Sequence, residues 1–163
     1  MMMALGSRSQ RGFTLIELLA SAAILGVLAS VAVPVVQTTM QRERERELRT
    51  ALRDIRGAID SYKQAVASGK VASENGASGY PPSLSALVVG VQNDQDKNGP
   101  RLYFLRRLPR DPFFADRSVA AADTWGKRRF DSPPDAPQEG VDVFDVYSRS
   151  TQPGLNGVPY AEW

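Results

Sequence analysis

Residues 12–36 read GFTLIELLASAAILGVLASVAVPVV, and their reading decides how the rest of the chain is organised. From Phe13 to Val36 the stretch spans 24 residues, interrupted only by Thr14, Glu17 and small polar serines. At 1.5 Å per residue this is about 36 Å of helix, enough to cross a bilayer with some tilt. The preceding segment carries Arg8 and Arg11 and no acid, whereas Arg42 to Glu47 alternates in sign and sums to zero. The bias of positive residues toward the cytoplasmic side predicts a cytoplasmic N-terminus and an exported remainder. A cleavable secretory signal ending near Ser30-Val31-Ala32 fits poorly, because the apolar run is too long and contains an acid. A plain signal anchor explains the orientation but not Glu17. A carboxylate inside a membrane helix costs about 2.5–3.5 kcal/mol at the centre, and less near an end, unless it finds a partner.

Outside this stretch the composition excludes much. The chain has 163 residues, 42% hydrophobic, with 20 basic and 18 acidic residues and neither Cys nor His. Disulfide frameworks, thiolate metal sites, cysteine nucleophiles and histidine bases are thereby removed. Near-balanced charge argues against nucleic acid as a partner. The formal excess of +2 is carried by Arg8 and Arg11, so it belongs to the segment ahead of the apolar run. The carboxylates Asp111, Asp116, Asp123, Asp131, Asp135, Asp142 and Asp145 are scattered among turns and strands and read as turn formers and solvated surface. No acid/base pairing suited to hydrolysis emerges, and no enzymatic activity is expected.

Within the apolar run, Ala22, Gly26 and Ser30 recur every fourth residue, giving a small-residue face for close helix approach. Pro34 removes a backbone donor and is expected to loosen the helix locally. Beyond it the helix continues. Glu43 with Arg46 and Glu45 with Arg49 are spaced for ion pairing on a solvated surface. Leu48, Leu52, Ile55, Ile59, Tyr62 and Val66 then form an amphipathic stripe fit to pack on a sheet, and Gly69 marks the end. Ser83 to Val89 reads as a short helix capped by Ser83. Leu102–Leu105, Trp125–Phe130 and Val141–Ser148 read as strands, the last two separated by the Pro-rich DSPPDAPQEG. Turn signals at Pro153-Gly154 and Asn156-Gly157 precede a final aromatic, Trp163, expected against the sheet. The expectation is an α+β fold: one long N-terminal helix, half membrane and half amphipathic, laid on a small antiparallel sheet with long loops.

Gly12-Phe13-Thr14-Leu15-Ile16-Glu17, after a short basic leader and before an apolar run, resembles the processing site of the type IV pilin and type II secretion pseudopilin superfamily. The resemblance implies that a prepilin peptidase cuts after Gly12 and N-methylates Phe13. It also implies that Glu17 pairs with the new α-amino group of a neighbouring subunit during assembly. Pro34 stands where family members carry a proline and the helix melts in filaments. Tyr80-Pro81-Pro82, Leu108-Pro109-Arg110-Asp111-Pro112, Trp125-Gly126 and Asp145-Val146-Tyr147-Ser148 are similar in order and spacing to the major pseudopilin, and the lack of cysteines agrees. The implied domains are a leader 1–12, a transmembrane and filament-core helix 13–36, an amphipathic continuation 37–68 and a periplasmic domain 69–163.

The implied function is a structural subunit that polymerises into a periplasmic filament and helps drive protein export across the outer membrane. Its partners would be further copies of itself, the inner membrane, the prepilin peptidase, minor pseudopilins, a platform protein and an assembly ATPase. A type IV pilin for adhesion, motility or DNA uptake is the alternative, and a monomeric membrane-anchored binding domain is a third reading. No cofactor is expected, and calcium is the one ion weighed. The resemblance implies a calcium site in the loop after the last strand, where Ser148 matches but Arg149 to Pro153 carry no acid. Asp94, Asp96 and Asn98 match the first half of an EF-hand loop, but its twelfth position is Leu105 instead of Glu, so a polar turn is the better reading.

Overall fold

The computed structural model describes residues 12–73 and 78–163, and of residues 31–34 the backbone alone. A single helix, α1, runs from Leu15 to Ala67, 53 residues. Its residues belong to two compact units, one reaching to Met40 and the other spanning Gln41–Trp163.

In the first unit the helix is apolar all round. Phe13, Ile16, Ile24, Leu25 and Leu28 are each more than 60% exposed. Two of its hydroxyls turn onto the helix itself: Ser30 donates to the Val27 carbonyl at 2.7 Å and Thr39 to that of Val35 at 2.9 Å. The helix passes through Pro34 without interruption. Local melting there lies outside what the backbone shows, and its side chain lies outside the described residues.

In the second unit α1 buries one stripe. Leu48, Leu52, Ile55 and Ile59 are at most 3% exposed, and they pack with Leu84, Leu87, Trp125, Val146 and Tyr160 in one core. The helix ends where Gly69 adopts φ 70°, which lets Lys70 and Val71 return their N–H groups to the Ala65 carbonyl. Two strands follow, β1 (Trp125–Arg128) and β2 (Asp145–Ser148), antiparallel in the register Trp125↔Ser148 to Arg128↔Asp145. The architecture is the expected α+β arrangement of a long helix on a small antiparallel sheet.

Several local expectations change. The short helix, α2, covers only Ala86–Val89, although the Ser83 hydroxyl does accept the Ala86 N–H at 3.4 Å. Leu102–Leu105 is not a strand: Leu102 forms a single bridge to Val91, and then Phe104 and Leu105 both donate to the Leu87 carbonyl at the end of α2, which bends the chain away. β2 begins only at Asp145: the Val143 N–H goes to the Pro81 carbonyl at 2.8 Å, while the Phe144 N–H still reaches the Arg128 carbonyl of β1 at 2.8 Å. Trp163 lies edge-on to Tyr160, beneath the Arg49 guanidinium of α1, and packs against the core that includes Trp125 and Val146 of the strands. Among the loop aromatics, Phe104 meets Tyr62 and Phe113 stacks on Tyr160, while Tyr103 is 63% exposed.

Two substitutions test this packing. Ile55→Ala should cost about 2–5 kcal/mol through its cavity. Gly57→Ala, in a helix position where an added Cβ meets nothing within 4 Å, should gain about 0.5–1 kcal/mol. Both are read from denaturant unfolding of the detergent-extracted chain.

Candidate processing and assembly site

Gly12, Phe13 and Thr14 precede α1 in non-helical backbone, and Phe13 is 79% exposed. Thr14 caps the helix. Its hydroxyl accepts the Glu17 N–H at 3.3 Å while its carbonyl accepts the Leu18 N–H at 3.1 Å. Thr14-Leu15-Ile16-Glu17 thus has the Thr-x-x-Glu spacing of a capping box, a signal present in the sequence and not used in reading it. The cap places the Glu17 carboxylate in the first turn, where the positive end of the helix dipole favours it. Gly12 and Phe13 lie outside this turn and are exposed.

In the second unit the motifs that carried the resemblance converge on one knot. Asp111 is 3% exposed; its Oδ2 accepts the Ser148 hydroxyl at 2.6 Å and its Oδ1 accepts the Phe113 N–H at 2.8 Å. Its own N–H donates to the Thr124 hydroxyl, and the Trp125 indole donates to the Pro109 carbonyl at 2.9 Å. A buried carboxylate is tolerated only when hydrogen-bonded in this way. Asp111 forms the expected turn, accepting the Phe113 and Phe114 N–H groups, but it is buried and not on a solvated surface. Neither is Asp142, which accepts the Phe130 N–H, nor Asp145, which binds Arg56 at 2.8 Å and Arg128 at 3.2 Å.

A second buried carboxylate escaped the sequence reading. Glu45 pairs with Arg49 at 3.7 Å as expected, but it is only 4% exposed. It accepts the Leu155 N–H at 2.7 Å and the Tyr160 hydroxyl at 3.0 Å, and Gln41 donates to that hydroxyl oxygen at 2.8 Å. The signal was available: Glu45 stands three residues before Leu48 and seven before Leu52, in phase with the buried stripe. Burial pushes the Tyr160 phenol above its ordinary value of 10.0, Glu45 adding to that shift and Gln41 opposing it.

The weighed calcium ligands do not assemble. Ser148 is spent on Asp111. Asp94 pairs with Lys97 at 3.5 Å, and the Asp94 N–H is held by the Lys70 carbonyl. The Asp96 and Lys97 carbonyls accept from Gln92, which makes residues 92–99 a self-bonded turn. Among the described residues no three His, Cys, Asp or Glu side chains gather as a metal-holding group.

Residues 7–33 match the family model described as the prokaryotic N-terminal methylation motif. The type II secretion system core protein G of Klebsiella pneumoniae is 33% identical over 92% of this chain and 88% of its own length. The chain belongs to the core protein G family. These are pseudopilins, structural and non-enzymatic. The core protein G of Pseudomonas aeruginosa is 33% identical over 73% of this chain and 79% of its own. A fimbrial protein of Neisseria meningitidis is 34% identical over 55% of this chain and 52% of its own. No solved structure gives a significant match. The pseudopilin carries one N-terminal helix long and apolar enough to cross a membrane, consistent with inner-membrane anchoring.

The phenol of Tyr160 supplies a pH test. A raised folded pKa contributes stability that is fully present below 10.0 and is lost as pH rises through the folded value. Tyr160→Phe should lower stability at pH 8, and the gap to wild type should narrow above pH 10. Unfolding free energies measured from pH 8 to 11 check this.

Proposed function

We propose that this pseudopilin is made as a precursor, cut between Gly12 and Phe13, and polymerised into a periplasmic filament that helps move proteins across the outer membrane. The observation that carries the reading is the sequence Gly12-Phe13 with Glu17 in the first turn of a helix whose large apolar side chains face outward. Such a surface needs cover from lipid or from other apolar helices. Membrane residence supplies the first, a bundle of identical helices the second. Residues 1–12 serve as the leader, 13–36 as membrane segment and filament core, 37–68 as the amphipathic continuation and 69–163 as the periplasmic domain. The N-terminus stays cytoplasmic before processing.

Glu17 links processing to assembly. Cleavage creates an α-ammonium at Phe13, a partner for the carboxylate that does not exist in the precursor. A pair formed between neighbouring copies offsets the cost of the acid in an apolar core and fixes their axial register. The small residues Ala22, Gly26 and Ser30 permit close approach of the helices, and Pro34 marks where the helix is weakest against local melting. The prepilin peptidase, the platform protein, the assembly ATPase and minor pseudopilins are the partners this cycle requires.

The similarity to a fimbrial protein favours a second reading, a type IV pilin. Deletion of the gene separates them: loss of export of a folded protein supports the secretion filament, and loss of surface fibres supports the pilus. In cells with active peptidase, mass spectrometry should find a chain beginning at methylated Phe13; an intact leader would exclude both filaments. Glu17→Val should insert and be processed normally yet reduce filament yield at least tenfold. Normal yield would remove the proposed role of the carboxylate.

A further inference from the structure

The tail after β2 is where membership in this family implies a calcium ion, and the residues present do not fit one. Calcium takes six to eight oxygen ligands, usually with more than one carboxylate. Here the Ser148 hydroxyl is turned inward to Asp111 at 2.6 Å, and residues 149–153 offer an arginine and no acid. Yet the tail is ordered around a carboxylate of its own. Glu45, on α1 and 4% exposed, reaches across more than a hundred residues of sequence to accept the Leu155 N–H at 2.7 Å and the Tyr160 hydroxyl at 3.0 Å. On the far side of the same loop Gly154 donates to the Val158 carbonyl at 2.9 Å, and a Cβ at Gly154 would come within 2.5 Å of the Trp163 ring.

A cation and a carboxylate close a loop by opposite chemistry. The cation gathers carbonyl and carboxylate oxygens, and the carboxylate gathers N–H and O–H groups. The tail presents the second kind of group to Glu45. We propose that Glu45 performs in this chain the loop-closing task that a divalent cation performs elsewhere in the family, so that the tail 149–163 is ordered without metal. The clamp lies within one copy and stands whether or not the chain polymerises.

The test is hydrogen exchange at the Leu155 amide, together with thermal unfolding, on the detergent-extracted full chain in EDTA and in millimolar calcium chloride. Wild type should show the same Leu155 protection, within about twofold, and the same Tm in both. Glu45→Ala should speed exchange at Leu155 roughly tenfold or more, with no recovery in calcium. Glu45→Gln keeps an acceptor oxygen and should retain most of the protection, a comparison that stands even if the alanine variant fails to fold. A calcium-dependent rise in Tm of several degrees, Leu155 protection only in calcium, or full Leu155 protection in Glu45→Ala would each overturn the proposal.

Discussion

A helix that must sit first in lipid and then among copies of itself has to be apolar around its whole circumference, while a helix that supports a domain in water needs one apolar stripe only. Both kinds of surface occur here on α1, Leu15–Ala67. Among the described residues up to Met40, large side chains such as Ile16, Leu19, Ile24, Leu25, Leu28 and Val35 are exposed; from Gln41 on, burial follows the face that carries Leu48, Leu52, Ile55 and Ile59. Everything else follows from that change of solvent. Ser30 and Thr39 of the apolar half bond their own helix, while Glu45, Asp111, Asp142 and Asp145 of the aqueous half bond distant parts of the domain.

Those carboxylates replace what a small sheet cannot supply. Two four-residue strands are marginal on their own. Asp111 ties the segment before β1 to the end of β2, Asp145 takes both Arg56 of α1 and Arg128 of β1, and Glu45 holds the tail. A partner lost from any of these leaves a charge poorly solvated, which is costly, so the polar ties fix the arrangement of long loops that hydrophobic area alone would leave loose. The same ties explain why Leu108-Pro109-Arg110-Asp111-Pro112, Trp125 and Ser148, distant in sequence, act as one motif: their polar atoms meet.

The helix, its stripe, its stop at Gly69 and the β1–β2 pairing were legible in the sequence, because periodicity and turn residues report local geometry directly. What was misread depended on partners far along the chain. Leu102–Leu105 has strand composition, but the Leu87 carbonyl captures its amides. Asp111 and Asp142 look like surface turn residues until the strands that bury them are in place. Glu45 is spaced to pair with Arg49 on a solvated surface, and it does pair, but its phase relative to Leu48 puts it on the buried face. The Thr14 cap is a local signal as well: the Thr14-x-x-Glu17 spacing makes Glu17 the third residue of the helix independently of any assembly role.

The central claim is that the outward-facing apolar half of α1 becomes a core shared between copies. The natural absence of cysteine makes this directly measurable. A single cysteine at Ile24, 61% exposed on the helix, should form copy-to-copy disulfides on oxidation when the assembly machinery is present, and should remain largely monomeric in membranes that lack it. Equal crosslinking in both membranes, or none in either while cysteines in the domain do crosslink, would contradict a shared helical core.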